Sequence, residues 1–239
     1  MHSSFAIPGC DLGLVRGGGI MRPLKQRGER VSVTIEQRIR RMVLEHGRVV
    51  SDSILSVDTL LNHRIDYTFS AYCGDALAHL VTGQPTDVIL TAEASGISVA
   101  VFMAIVVNNA QWPQPAAVVF AKKSRPVTMG ENGYHVVNSY SRTKERPVQL
   151  FLGKHVIAPG ARVFIVDDFM ARGTTLAALG DLTLMAGAHI VGFGAVIEKT
   201  FENGRQELRR FDAPVHALVR VTSLAGGQIH LADDSEAAR

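Results

Sequence analysis

The run Val163-Phe164-Ile165-Val166-Asp167-Asp168-Phe169-Met170-Ala171-Arg172-Gly173-Thr174-Thr175 narrows the possible folds of this chain more than any other segment. Four apolar residues in succession suit a strand buried on both faces, the environment of a parallel sheet. Two adjacent carboxylates follow, and a small-residue loop then enters a helix predicted over about 174–187. Open α/β sheets bind ligands at that end of their strands. Backbone N–H groups from Ala171 to Thr175, the helix N-terminus and the hydroxyls of Thr174 and Thr175 suit a phosphate. Asp167 and Asp168 repel a phosphate but accept hydrogen bonds from sugar hydroxyls. A phosphate nest beside carboxylates for a diol describes a site for ribose 5-phosphate. The bland alternatives are a strand-to-helix turn with capping aspartates, or a receiver-type phosphoacceptor pocket.

The neighbouring segments continue the alternation. Val88–Ala92, Ala116–Phe120, Ala161–Val166 and Ile190–Ile197 read as short buried strands, with helices over about 66–81 and 96–108. Thr34-Ile35-Glu36-Gln37 has the form of a capping box, and Ile35, Ile39, Met42 and Val43 recur at helical spacing up to Gly47. Residues 122–147 are polar and carry the turn pairs Met129-Gly130 and Asn132-Gly133, which predict a projecting hairpin or mobile flap. The expected fold is α/β, an open parallel sheet flanked by helices on both faces, over residues 32–239. Residues 1–31, rich in Gly, Arg and Ser, read as a flexible basic leader.

Apolar residues make up 46% of the 239, so a substantial core can form and wholesale disorder is excluded. The net charge of +3 would suit a nucleic-acid partner, but its distribution argues otherwise. Residues 16–41 hold eight basic side chains against two acidic ones, whereas 42–239 hold 17 against 19. The basicity belongs to the N-terminal arm, read as a solvated tail or an extended gene start with initiation near Met21 or Met42. No apolar run reaches the ~18–20 residues of a membrane span. No signal-peptide core lies near Arg16 and Arg22. Cys10 and Cys73 form neither a metal-like pair nor a disulfide framework. A cytoplasmic protein with no nucleic-acid or membrane partner is expected.

Segment 163–175 resembles the phosphoribosyl-diphosphate signature of type I phosphoribosyltransferases, with one departure. Arg172 and Thr174 stand where the family often has Thr and a second Gly. Thr91-Ala92-Glu93-Ala94-Ser95-Gly96-Ile97 resembles the family's pyrophosphate loop, where Gly96 offers no side chain to obstruct a diphosphate. Phe120–Ser124 and the polar stretch through Ser141 resemble the mobile loop that closes over the site, with Lys122 and Lys123 at its root. Val50–Asp66 resembles the N-terminal region of bacterial xanthine phosphoribosyltransferases, and Val196–Phe201 with Gly204–Leu208 resembles their base-binding region.

The resemblance implies a type I phosphoribosyltransferase fold with a flexible flap and a small hood. It implies transfer of a 5-phosphoribosyl group to a 6-oxopurine, foremost xanthine, with release of pyrophosphate. Catalytic roles then fall to Asp167, Asp168, Lys122 and Lys123. Phosphoribosyl diphosphate is held by Glu93, Ala94, Ser95 and Gly96, and by Met170, Ala171, Arg172, Gly173, Thr174 and Thr175. The purine meets Leu55, Asn62 and Lys199, and a Lys donor favours 6-oxopurines over adenine. Without the resemblance these three read as core, a turn or cap, and a partner of Glu198 or Asp212. Mg²⁺ is expected to bind mainly through phosphoribosyl diphosphate, with no dedicated protein site, and the assembly to be a homodimer. The rivals are hypoxanthine–guanine or adenine specificity, and a purine regulator that senses phosphoribosyl diphosphate and binds DNA. Against the regulator, the 47 residues before Arg48 are too few for a winged-helix domain beside an unstructured leader.

Overall fold

Thr34 begins the first helix, α1 (Ile35–His46), through the reciprocal cap that its sequence predicts. Its hydroxyl accepts from the Gln37 backbone N–H at 3.2 Å, and the Gln37 side chain accepts from the Thr34 N–H at 3.1 Å. Ile39 and Val43 on its inner face are fully buried. The computed structural model describes residues 33–109, 115–130, 132–141 and 146–233. The leader expected over 1–31 lies outside the described residues.

Helix α1 leads into a hairpin of β1 (Arg48–Ser51) and β2 (Ile54–Ser56), then a π-helical turn over Asp58–Asn62. This hairpin and turn are the hood. Asp66 caps α2 (Tyr67–Leu80), its carboxylate accepting from the Phe69 N–H at 2.9 Å. The alternating part follows as β3 (Val88–Ala92), α3 (Gly96–Asn109), β4 (Ala117–Ala121), the pair β5 (Tyr134–Ser141) and β6 (Arg146–Gly153), β7 (Arg162–Met170), α4 (Thr174–Met185) and β8 (His189–Lys199). A short α5 (Gly204–Leu208), β9 (Val215–Ser223) and β10 (His230–Leu231) complete it.

The main sheet has the order β10-β9-β8-β7-β3-β4. Its pairs from β9 to β4 are parallel, as expected, but β10 runs antiparallel to β9. The reason is local: the chain turns back through Ala225–Gly227, where Gly226 and Gly227 take positive φ, and so tight a turn can only join antiparallel strands. Strand β7 alternates between two apolar layers. Phe164 and Val166 join Ile39, Phe69, Leu77 and Met103 beneath α1, α2 and α3. Val163 and Ile165 join Leu150 and Leu152 of β6 and Leu176, Leu179 and Leu182 of α4 on the other face.

The flap is corrected in detail. Strands β5 and β6 pair in register from Tyr134 with Gly153 to Ser141 with Arg146. Their connection falls at 142–145, outside the described residues, and not at Met129-Gly130 or Asn132-Gly133. Those glycines shape the entry into β5 instead: a Cβ on Gly133 would overlap the Met129 carbonyl.

Strand β3 lies between β4 and β7. The connection from β3 crosses by α3 on one face, whereas that from β7 crosses by α4 on the other. The loops after β3 and β7 therefore diverge from adjacent strand ends and open a crevice between them.

Candidate functional site

The crevice is lined by the two loops that the sequence singles out. After β3, Glu93 to Gly96 turn the chain into α3, with the Glu93–Ala94 peptide cis. A Cβ on Gly96 would overlap the buried Thr91 Oγ1 and lie 3.3 Å from Asp167 Oδ1, so only glycine fits between β3 and the acid pair. The Glu93 carboxylate accepts from the Lys123 backbone N–H, which fixes the root of the flap on this loop. After β7, Gly173 takes φ 75° and starts α4. A Cβ there would overlap the Gly204 carbonyl, and one on Gly204 would overlap that of Ala171. The Ser139 hydroxyl of β5 donates to the Thr174 carbonyl at 3.3 Å, bringing the flap onto the start of α4.

Asn62 joins the hood to this crevice. Its side-chain amide donates to Asp168 Oδ2 at 2.9 Å and to Ser95 Oγ at 3.2 Å. One residue thus bridges the acid pair and the turn after β3. Two expected site residues have side chains buried in the cores. Met170 is 1% exposed and belongs to the α4-side core, so only its backbone borders the loop; Leu55, at 7%, packs into the opposite core. Lys122 pairs through its backbone with Phe151 and is half-buried, while Lys123 is the exposed one of the two.

Asp167 is buried, and its carboxyl is pushed well above the usual range, first by burial and then by the charge of Asp168 beside it; Lys123 opposes the shift. A carboxyl raised in the folded state takes up protons more readily folded than unfolded. Its stabilising effect is complete below about pH 4, the ordinary carboxylate range, and fades as pH rises towards the raised value. Asp167→Asn keeps the acceptor for the Asp168 N–H, which bonds Asp167 Oδ1 at 3.0 Å, and carries no charge. It should melt above wild type at pH 8 and no higher at pH 4. Equal melting differences at the two values would refute the burial argument.

Lys199 ends β8 with a side chain 9% exposed. Its ammonium donates to the Ser53 carbonyl at 2.8 Å and pairs with Glu202 Oε1 at 2.6 Å. The bland expectation of Glu198 or Asp212 as partner is therefore corrected. Neighbours on a strand face opposite ways, and Glu198 is held instead by Arg205 at 2.8 and 2.9 Å, with Arg220 at 3.5 Å. Beside Lys199 lies a cavity of about 590 Å³ lined by Ser51, Asp52, Ser53, Arg172, Phe201 and Glu202. Apart from Arg172, sequence reasoning singled out none of these lining residues. Two segments pointed there, Val50–Asp66, which contains Ser51, Asp52 and Ser53, and Val196–Phe201, which ends on Phe201.

Among the described residues no three His, Cys, Asp or Glu side chains converge as cation ligands, and no helix is long and apolar enough to cross a membrane. The arrangement offers an acid pair with an amide, a backbone nest, a flap carrying lysines, and an aromatic-lined cavity.

A family model described as a phosphoribosyl transferase domain matches residues 71–214. The xanthine phosphoribosyltransferase of Moorella thermoacetica is 38% identical over 200 residues, covering 83% of this chain and 97% of that protein. That of Bacillus licheniformis is 35% identical over 193 residues, covering 81% and 95%. Among solved structures, adenine phosphoribosyltransferase from Thermoanaerobacter pseudethanolicus superposes with a TM-score of 0.61 at 21% identity, covering 78% of this chain and 99% of that one. That likeness concerns the fold.

Proposed function

The chain belongs to the phosphoribosyltransferase family, and on that premise we propose that it transfers the 5-phosphoribosyl group of phosphoribosyl diphosphate to xanthine, giving xanthosine 5'-monophosphate and pyrophosphate. The observation that carries this reading is the bridge from Asn62 to both Asp168 and Ser95, which brings hood, acid pair and pyrophosphate loop to one point. Xanthine specificity is supported by the names of the relatives, at 32–38% identity, and by the buried Lys199 ammonium, a donor suited to an oxo group.

In this reading Asp167 and Asp168 accept from the ribose hydroxyls. The backbone of 171–175 holds the 5-phosphate, and the turn Glu93–Gly96 holds the diphosphate. A purine nitrogen forms its bond to the anomeric carbon as the diphosphate oxygen leaves with the bonding pair, and the purine N–H proton passes to solvent water. Lys122 and Lys123 stand at the flap's root to oppose the leaving charge, and positioning supplies most of the acceleration. The half-exposed Asp168 suits a Mg²⁺ that takes most of its oxygens from substrate and water. Such an ion neutralises charge on the diphosphate. A cytoplasmic homodimer belongs to the same reading: Tyr67, Val101 and Ile105 are large apolar side chains left exposed on α2 and α3.

The test is pyrophosphate release with xanthine, guanine, hypoxanthine and adenine, each with phosphoribosyl diphosphate and Mg²⁺, and light scattering for the mass. Xanthine should give the highest kcat/KM and adenine the lowest, on a dimer. Equal use of adenine would overturn the base pocket, silence on all four would overturn the reaction, and a monomer's mass would remove the assembly.

A further inference from the structure

Arg172 belongs by sequence to the phosphate loop, yet its side chain lines the cavity under the hood together with Phe201 and Glu202. Its Nε lies 3.8 Å from Glu202 Oε2, while the other oxygen of that carboxylate is 2.6 Å from the Lys199 ammonium. Glu202 is 7% exposed in its side chain, so one buried carboxylate faces two cations, the buried Lys199 in close contact and the largely exposed Arg172 farther off. A phosphate on loop 171–175 needs only the backbone N–H groups there, so the nest has no call on the guanidinium.

Granting the transfer to an oxopurine argued above, we infer that Arg172 reads the base and not the phosphate. Its guanidinium donates to an oxygen at the purine 2-position and thereby separates 2-oxopurines from 2-aminopurines. The chemistry is that of donors without acceptors. Lys199 has three N–H groups, two of them given to Ser53 and Glu202, and the third serves the 6-oxo group. Arg172 has five donors and can accept nothing. A base with oxygens at both positions satisfies both cations. A 2-amino group would turn N–H towards N–H, leaving both donors unpaired, which is the form of discrimination that repulsion supplies. Phe201, 38% exposed at the cavity wall, offers a face on which a planar base can lie.

The experiment measures Kd by calorimetry for the 5'-monophosphates of xanthosine, guanosine and inosine, and for phosphoribosyl diphosphate, with wild type, Arg172→Ala and Glu202→Gln. In Arg172→Ala the preference for the xanthosine over the guanosine nucleotide should fall about tenfold, the size of one charged hydrogen bond at a partly exposed site. The inosine nucleotide, which has no 2-substituent, should change least. Glu202→Gln keeps the shape and removes the charge that holds Arg172, so it should shift the same ratio in the same direction. Equal weakening of all three nucleotides and of phosphoribosyl diphosphate would put Arg172 on the phosphate and overturn the inference, as would an unchanged ratio. Binding is read without turnover. A chain that binds these nucleotides but converts no purine brings down the proposed function alone, and the ratio still decides the role of Arg172. A chain that binds none of them overturns both.

Discussion

Asp168→Asn is expected to lower kcat at least ~100-fold, the cost of removing one electrostatic contact made in the transition state. The substitution is isosteric, and the new side chain can still accept from the Asn62 amide that now bonds Asp168 Oδ2 at 2.9 Å. It also relieves Asp167 of a neighbouring negative charge, the second cause of that residue's raised carboxyl. The variant should therefore fold as wild type does and melt no lower, and the loss should appear in turnover. Circular dichroism and pyrophosphate release measure the two sides. A rate equal to wild type would refute the acid pair as the ribose site.

Gly96→Ala should be nearly as damaging by a different route. The added methyl would overlap Thr91 Oγ1, and Thr91 is fully buried, so its side chain has nowhere to swing. The loop after β3 must move instead, away from Asp167. Overpacking of this kind costs about 1–3 kcal/mol of stability, and a displacement near 1 Å at a positioning loop can cost ~100-fold in rate. The KM for phosphoribosyl diphosphate should rise accordingly. Thr91→Ala added to Gly96→Ala removes the overlapping oxygen and should recover much of the loss. If the double variant performs no better than the single one, steric exclusion is the wrong reason for the glycine.

The readable parts of the chain are those where one segment contains its own explanation. Strand β7 can be read because four apolar residues precede two acids and a small-residue loop, a pattern suited to a strand buried on both faces. The α1 cap can be read because both partners lie within Thr34–Gln37. Strand β5 hides for the opposite reason: Tyr134–Ser141 mixes polar and apolar residues without a clean run, and the nearby Met129-Gly130 and Asn132-Gly133 pairs draw the turn to the wrong place. Periodicity and turn signals do not reveal the cavity beside Lys199, and only the resemblance of Val50–Asp66 and Val196–Phe201 points to it. Its walls come from the β1–β2 turn, the loop after β7 and the end of β8, segments up to about 150 positions apart in the sequence, and the exchange of partners at Lys199 depends on which way a strand pleats. Asn62 would pass for a turn residue until the fold sets it against Asp168.

Gly173 and Gly204 sit back to back, each without room for a methyl group, so the segments to which the proposed function gives the two ends of a nucleotide share one close-packed seam. In that reading the span between them is set when the chain folds, and the molecule would work as a ruler. A ligand one bond longer between sugar and base cannot be met by stretching this seam, and whatever adjustment it needs must come from the hood and the flap.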